Sequence, residues 1–194
     1  MATYENILVE HQGKTIVITI NREDKLNALN SQTLGELSDV LDDILHDNSV
    51  RGVILTGKGE KAFVAGADIK EFLNLNVSEA SALSRSGHEN VMDKISNFPK
   101  PIIAAINGFA LGGGLEVALA CHMRVAVETA KVGLPEVSLG IIPGYGGTQR
   151  LTQLVGKGKA LEMILTGDMI EASEAYQWGL VNHLVGSQTE LLAK

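Results

Sequence analysis

Short apolar segments typical of β-strands alternate with segments of helical periodicity along nearly the whole chain. Residues 7–10 and 15–20 are mainly apolar and rich in β-branched types, and Gly13 lies between them, which predicts a hairpin. Further strands are predicted at residues 53–55, 62–65, 102–106, 124–127 and 180–185. This alternation predicts an α/β fold with extensive parallel pairing, in which ligands bind at the carboxyl ends of strands.

The segments between these strands predict helices. Ser31 is a candidate helix cap, and the apolar residues after it recur at the spacing of an amphipathic helix: Leu34, Leu37, Leu41, Ile44 and Leu45. A helix is expected to begin near Asp68, and a long polar helix is expected over residues 78–97, ended by Pro99. Residues 115–121, 148–155 and 160–166 predict three further helices.

The composition argues against several classes of protein. With 194 residues, 45% hydrophobic and 20% charged, the chain is expected to form one soluble domain. A net charge of −7, with four Phe, three Tyr and one Trp, argues against nucleic acid as the main partner. No apolar segment is long enough to cross a bilayer, so no membrane association is expected. The five histidines lack metal-ligand spacing, so no metal site is expected.

Two features point to a reducing compartment. The single Cys121 lies in an apolar run, which predicts a buried thiol without a disulfide partner. The amino terminus is polar and acidic and lacks the pattern of a signal peptide. We therefore expect a cytoplasmic protein.

A glycine-rich turn before the helix at residues 115–121 is the first candidate for chemistry. Gly112, Gly113 and Gly114 expose backbone N–H groups at the positive end of a helix dipole, where an oxyanion can bind. Glu116 follows within one helical turn, so its carboxylate is expected to lie on the same face as these donors. From the residues alone, a solvent-facing Glu116 that complements its own helix dipole is about equally plausible.

Glu136 is a second isolated acid in apolar surroundings. The rigid Pro135 before it could direct the carboxylate into a site, and two such acids are the ingredients of an acid–base pair. The residues alone favour the alternative, in which Glu136 simply begins a short helix after the proline.

Two further glycine-containing loops are candidates for ligand binding. Ala65 to Lys70 lead into the helix capped by Asp68, which leaves the N–H of Ala67 as a free donor, although an ordinary capped loop is equally consistent. Residues 57–62 match the dinucleotide pattern GxGxxA. The following residues predict a strand and turn instead of the helix that this fingerprint requires, so a dinucleotide site is not expected.

Four segments, in order, resemble the enoyl-CoA hydratase (crotonase) family: residues 21–28 (NREDKLNA), 65–70 (AGADIK), 107–114 (NGFALGGG) and 142–150 (IPGYGGTQR). The resemblance covers residues 21–185 and implies a crotonase-like spiral of ββα units, assembled as a homotrimer or a dimer of trimers. It implies that the N–H groups of Ala67 and Gly113 form an oxyanion hole for a thioester carbonyl.

The resemblance also implies roles for other residues. Glu116 and Glu136 would flank a water molecule as the catalytic pair, and Tyr145 would help to bound the acyl pocket. The contacts to the CoA thioester would come from two segments and the glycine turn: Lys25, Leu26, Ala28, Ala65, Ala67, Asp68, Ile69, Lys70 and Gly113.

The implied activity is reversible syn addition of water to a 2-enoyl-CoA of short to medium chain length, giving a 3-hydroxyacyl-CoA. It belongs to fatty-acid or butyrate-type metabolism and requires no metal or redox cofactor. A double-bond isomerase and a non-catalytic binding protein of the same fold are the alternatives.

Family members continue into a helical carboxyl-terminal segment. We therefore expect a crotonase-like core over residues 1–186, with residues 187–194 as the start of that segment. Apolar residues that such a segment would cover are expected to remain partly exposed: Leu161, Ile164, Leu165, Val181 and Leu184.

Overall fold

Ten strands form two sheets in the computed structural model, which describes residues 4–72 and 75–193. The strands are β1 (Ile7–Gln12), β2 (Thr15–Ile20), β3 (Gly52–Gly57), β4 (Ala62–Val64), β5 (Ile102–Ile106), β6 (Phe109–Leu111), β7 (Met123–Val127), β8 (Lys131–Gly133), β9 (Met169–Glu171) and β10 (His183–Val185). The larger sheet has the order β1-β2-β3-β5-β7-β10, and the smaller sheet has the order β4-β6-β8-β9.

In the described ranges, seven α-helices accompany these strands: α1 (Ser31–His46), α2 (Val77–Gly87), α3 (Asp93–Ser96), α4 (Gly113–Ala120), α5 (Gly147–Thr166), α6 (Ala172–Gln177) and α7 (Gln188–Ala193). Three 3₁₀ turns lie at Glu23–Lys25, Ile69–Glu71 and Pro135–Leu139, and a π-helical turn lies at His88–Met92. Within the described residues, no helix is long and apolar enough to cross a membrane.

Consecutive strands divide between the two sheets. β3, β5 and β7 lie in the larger sheet, and the strand that follows each of them, β4, β6 or β8, lies in the smaller one. β3, β5 and β7 pair parallel in the larger sheet, and β4, β6 and β8 pair parallel in the smaller sheet. This repeated arrangement confirms the predicted spiral of ββα units. β6, β8 and β9, each only three residues long, are not among the strands predicted from the sequence.

The predicted hairpin and long helices are present, with corrections at their ends. β1 and β2 pair antiparallel around Gly13. Asn30, not Ser31, caps α1, because its Oδ1 accepts the N–H of Thr33 at 2.8 Å. Leu45 was wrongly included in the buried stripe of α1; it is 38% exposed, because it follows the buried Ile44 by one residue and so lies on another face.

Two other helical predictions are confirmed with changes. The predicted helix over residues 78–97 is divided into α2, the π-helical turn and α3, and it ends before Pro99. The two helices predicted beyond Pro143 lie within α5, whose backbone is non-helical at Gly156, with φ +78°. The helix expected near Asp68 is only the 3₁₀ turn Ile69–Glu71, capped by the Asp68 side chain.

The expected exposure near the carboxyl terminus is only partly correct. Leu161 and Leu165 are 45% and 67% exposed. Ile164 and Val181 are buried, because Ile164 lies on the core side of α5 and Val181 lies beneath the junction of α6 and β10. The division of the chain at residue 187 stays a prediction, and Lys194 lies outside the described residues.

Close packing of α4 on β4 should make Gly114 intolerant of a side chain. A methyl group at this position would lie 2.0 Å from the carbonyl oxygen of Val64, whereas one at the exposed Gly35 of α1 would meet no atom within 4 Å. We expect Gly114→Ala to lower the free energy of unfolding by about 1–3 kcal/mol. Gly35→Ala should raise it by about 0.5–1 kcal/mol, because alanine favours helix.

Urea unfolding followed by circular dichroism measures both changes. Equal stability of the two variants would contradict the close approach of α4 to β4.

Candidate active site

Three adjacent strand ends supply the core of the site. β4, β6 and β8 run parallel in the smaller sheet, so their carboxyl ends meet at one edge. Ala67 lies three residues after β4, Gly113 two residues after β6, and Glu136 three residues after β8. The parallel register therefore brings together residues that are far apart in the sequence.

The N–H groups of Ala67 and Gly113 lie close to each other. A methyl group built on Gly113 would lie 3.7 Å from the amide nitrogen of Ala67. Gly113 is the first residue of α4, so its N–H has no partner inside that helix. Within residues 4–72 and 75–193, neither amide donates a hydrogen bond to another group. Two free donors thus lie side by side, at the positive end of the α4 dipole.

The bridge between Leu29 and Ala67 holds the first of these donors in place. The N–H of Leu29 binds the carbonyl of Gly66 at 2.9 Å, and the N–H of Asp68 binds the carbonyl of Leu29 at 2.6 Å. These bonds use groups on either side of the Ala67 N–H, which leaves that N–H available to a ligand.

Glu116 is buried on α4, with 2% of its surface exposed. Its Oε1 accepts the N–H groups of Tyr145 at 2.7 Å and Gly147 at 2.8 Å. Because α5 begins at Gly147, the carboxylate binds at the positive end of that helix. The alternative of a solvent-facing Glu116 is therefore wrong.

Opposing effects act on the Glu116 carboxyl. Burial raises its pKa from 4.5 to about 7, and the nearby charge of Glu136 contributes to the rise. The N–H bonds from Gly147 and Tyr145 and the positive charge of Arg150 act in the opposite direction. The result is a carboxyl group that titrates near neutral pH, which suits general acid–base catalysis.

Glu136 lies in the 3₁₀ turn Pro135–Leu139 and is 8% exposed. A methyl group on Gly112 would lie 3.2 Å from its Oε1, so the carboxylate faces the glycine turn. Its Oε2 is buried and has no hydrogen-bond partner among the described residues. Burial raises the pKa of Glu136 as well. A short helix does begin at Pro135, as the alternative interpretation of Glu136 predicts, but the Glu136 side chain also points into the site.

Tyr145 connects the two halves of the site. It is 5% exposed, and its ring carbon Cδ2 would lie 3.3 Å from a methyl group on Gly113. Its backbone N–H binds Glu116, and burial raises the pKa of its hydroxyl to about 12. The aromatic ring therefore forms a wall beside the free N–H of Gly113.

The two predicted CoA-binding segments lie against each other at an open rim. The N–H of Ala65 binds the carbonyl of Leu26 at 3.1 Å. Leu26 and Ile69 are 42% and 54% exposed. The remaining predicted contacts lie in the same two segments: Lys25, Ala28, Asp68 and Lys70.

Comparison with known proteins shows the family. A model described as enoyl-CoA hydratase/isomerase matches residues 10–194. The chain belongs to the enoyl-CoA hydratase/isomerase family. The short-chain-enoyl-CoA hydratase of Clostridium acetobutylicum is 51% identical over 180 residues, which are 93% of this chain and 69% of that protein. The crotonyl-CoA hydratase of Syntrophomonas wolfei is 50% identical over 182 residues, 94% of this chain and 70% of that protein.

A solved structure agrees with this assignment. The enoyl-CoA hydratase of Bacillus anthracis superposes with a TM-score of 0.90 at 45% identity, covering 97% of this chain and 73% of that one. This family member therefore spans roughly seven tenths of the length of the proteins to which it is similar.

Several polar residues that hold the site of this family member together were not predicted from the sequence. The Arg22 guanidinium donates to the carbonyl of Ala28 and to the Asp68 carboxylate, the latter at 2.9 Å. The Asn107 amide donates to the carbonyls of Gly57 at 2.9 Å and Gly59 at 2.8 Å. An asparagine directly after a predicted strand was the available signal for the second of these networks.

The expectation of a buried thiol at Cys121 is confirmed. His122 is a structural residue, because its Nδ1 accepts the N–H of Ile102 at 3.0 Å. Within the described part of the chain, no group of three or more His, Cys, Asp and Glu could hold a metal ion.

The raised pKa of Glu116 should make stability fall as pH rises. Between pH 4.5 and about 7, the folded protein retains a proton on Glu116 that the unfolded chain releases. Rising pH therefore favours unfolding over this window. Glu116→Gln removes the titration while its side-chain oxygen can still accept both N–H bonds. Between pH 5 and pH 8, we expect the free energy of unfolding of the wild type to fall by about 2–3 kcal/mol relative to that of Glu116→Gln.

Urea unfolding of both proteins at each pH unit provides the test. Parallel stability curves for the two proteins would show that Glu116 has an ordinary pKa.

Proposed function

We propose that the chain is an enoyl-CoA hydratase, which adds water reversibly to a 2-enoyl-CoA thioester and gives a 3-hydroxyacyl-CoA. The observation that carries this proposal is that two buried acids lie around the free N–H groups of Ala67 and Gly113. Glu136 faces the adjacent Gly112, and Glu116 binds the N–H of Tyr145, whose ring lies beside Gly113. The similar proteins named above as hydratases of short-chain and crotonyl thioesters support a short acyl chain.

The two free N–H groups act on the thioester carbonyl. As water adds to C3, negative charge moves to the carbonyl oxygen and gives an enolate-like state. Donors from Ala67 and Gly113 stabilise that oxygen, and the positive end of α4 adds to the effect. Removing one fixed donor of this kind lowers the rate by about 10²- to 10³-fold. The Tyr145 ring excludes water from one side of this position.

The two carboxyl groups handle the protons. Glu116, held by two N–H groups, orients one water molecule and accepts a proton from it as the water oxygen bonds to C3. The hydroxyl group and the new hydrogen are added to the same face of the double bond. Glu136 gives its proton to C2 from the side of its unpaired Oε2. The C2–C3 double bond becomes a single bond, and a proton passes back from Glu116 to Glu136 before the next turnover. The two acids titrate as a coupled pair.

The remaining assignments follow from the same mechanism. The CoA portion lies along the rim formed by residues 25–28 and 65–70. Hydration changes no net oxidation state and the N–H groups stabilise the developing charge, so the proposed reaction uses no redox cofactor or metal. We further propose that the protein acts in the cytoplasm, in fatty-acid or butyrate-type metabolism, because the free thiol of Cys121 suits a reducing compartment.

The alternatives fit the site less well. A double-bond isomerase moves one proton within its substrate and needs no water held between two acids. A non-catalytic binding protein has no need of buried carboxyl groups, whose burial is costly. The presence of both acids beside the N–H pair therefore favours hydration.

Removing either carboxyl group should abolish most of the activity. We expect Glu116→Gln and Glu136→Gln each to lower kcat for crotonyl-CoA hydration by ~10²- to 10⁴-fold, the usual range for general acid–base catalysis. Glu10→Gln, at an exposed position on β1, is the matched control and should leave kcat unchanged. Loss of the absorbance of the conjugated thioester measures the rate.

Two outcomes would overturn the proposal. No turnover of any 2-enoyl-CoA by the wild type would remove the hydratase assignment. Conversion of a 3-enoyl-CoA into the 2-enoyl isomer before any hydrated product forms would favour the isomerase.

We also propose assembly as a homotrimer or a dimer of trimers. The turn after Glu136 packs against α5. Six large apolar side chains are exposed on these two described segments: Val137, Leu139, Ile141, Ile142, Leu161 and Leu165. Exposed apolar clusters of this kind are typical of subunit contacts. Their position beside Glu136 suggests that a neighbouring subunit shields this end of the site.

Placing a charge in this cluster should weaken the assembly. Ile142 is 71% exposed, so Ile142→Asp should leave the fold intact but lower the assembled fraction at micromolar concentration by at least ~10-fold, because an unpaired charge would be buried at the contact. Val77→Asp, at an 88% exposed position on α2, is the control. Sedimentation velocity measures the species. A monomeric wild type at these concentrations would contradict the proposal.

A further inference from the structure

Arg150 lies in the first turn of α5, outside every segment assigned to the substrate. Its side chain is 15% exposed and makes three hydrogen bonds to two separate parts of the chain. Nη2 donates to Oδ1 of Asp93 at 2.7 Å, and Nε donates to Oγ of Ser96 at 3.0 Å, both on α3. Nη1 donates to the backbone carbonyl of Tyr145 at 2.8 Å. The guanidinium therefore links α3 to the turn that precedes its own helix.

That turn is the part of the backbone that holds Glu116. The N–H groups of Tyr145 and Gly147 both bind the Glu116 carboxylate. Between them, Gly146 has a φ of +90°, and α5 has no side-chain cap at this end. A methyl group on Gly146 would collide with Nη1 of Arg150 and would lie 2.7 Å from the ring of His88. The turn thus requires glycine at position 146, and its outer side is occupied by the guanidinium.

We propose that Arg150 is a positioning residue for the hydration reaction: it holds the turn from Tyr145 to Gly147 against α3, so that both N–H groups stay directed at the Glu116 carboxylate. This inference rests on the proposed function. Arg150 touches no reacting atom of the proposed reaction and acts through the turn: its guanidinium binds the Tyr145 carbonyl, and its backbone N–H binds the Gly146 carbonyl at 3.0 Å.

The charge of Arg150 supports the same role. Its positive charge favours the ionised form of Glu116, which is the form that accepts a proton from water. The groups that face this region from the neighbouring elements are Asp93 and His88 on the α3 side, and Glu136 on the 3₁₀ turn. His88 Nε2 lies 3.4 Å from the Asp93 oxygen that also binds Arg150. His122 and Arg124 lie beyond the end of α4, and they line a surface cavity together with Arg150.

A purely structural role for Arg150 predicts a different result. If the guanidinium only joins α3 to α5, its removal lowers the free energy of unfolding but leaves the folded enzyme with normal kinetics. If it positions the turn, the folded enzyme loses kcat, because a displacement of about 1 Å in a catalytic group costs on the order of 10²-fold. Substrate binding at the CoA rim is distant from this contact, so KM should change little.

The experiment compares Arg150→Gln and Arg150→Lys with Arg51→Gln, an exposed arginine just before β3, at the opposite end of the strands from the site. We expect Arg150→Gln to lower kcat for crotonyl-CoA by ~10- to 100-fold with less than ~3-fold change in KM. The acid limb of its kcat–pH profile should move to higher pH, since the loss of a positive charge raises the pKa of Glu116. Arg150→Lys should restore the pH profile but only part of kcat, because lysine cannot bind three acceptors in a plane.

Thermal unfolding of each variant identifies the fraction that is folded during the assay. A normal kcat and pH profile for folded Arg150→Gln, with only a lower unfolding midpoint, would overturn the positioning role. So would full recovery of kcat by lysine, since charge alone would then suffice.

A second measurement separates this inference from the hydratase proposal. Carboxyl ¹³C shifts of Glu116, assigned with Glu116→Gln and followed by NMR from pH 5 to pH 9, report its titration without any substrate. An upward shift of the pKa in Arg150→Gln supports the coupling even if the wild type hydrates no enoyl-CoA. An unchanged titration would overturn the inference even if the wild type is an active hydratase.

Discussion

The binding of the Glu116 carboxylate at the start of α5 is the interaction on which the rest of the site depends. An acid that is 2% exposed is costly unless its oxygen atoms are satisfied, and two N–H groups of one turn satisfy Oε1. This bond fixes α4 relative to α5. It thereby fixes the free N–H of Gly113 relative to the Tyr145 ring, since Gly113 begins α4 and Tyr145 donates one of the two bonds.

The extent to which the fold could be predicted followed the length of its elements. α1 and the strands β2 and β5 contain enough residues to show a period or a clear apolar run, and they lie where the sequence placed them. β6 and β8 have three residues each, too few to show any period, and were missed, whereas the equally short β4 and β10 lie within the longer segments predicted at residues 62–65 and 180–185. These short strands nevertheless place Gly113 and Glu136. The glycine and proline motifs could be recognised without these strands. The reason why Gly113 and Glu136 lie close together in the fold could not.

The site residues could be predicted where a local pattern marks them. The glycine turn and the two isolated acids stand out in apolar surroundings. Arg22, Asn107 and Arg150 were missed because their main partners are backbone carbonyls or side chains of distant segments; the asparagine and the carbonyl of Gly57 are separated by 50 residues. The position of Asn107 directly after a predicted strand was a signal for a structural role, but no pattern in a single sequence shows which distant group such a residue binds. Residues that orient a site are therefore harder to predict than residues that form it.

The surroundings of the two acids differ, although burial raises the pKa of both. Glu116 receives two N–H bonds and the field of a cation, which favour its ionised form, but burial outweighs them and its pKa rises to about 7. Glu136 is buried with one oxygen unpaired among the described residues, an environment that favours its protonated form. Because like charges at close range disfavour double ionisation, the pair tends to hold one proton near neutral pH. One acid is then ionised while the other is protonated, so the pair can supply a base and an acid at one pH.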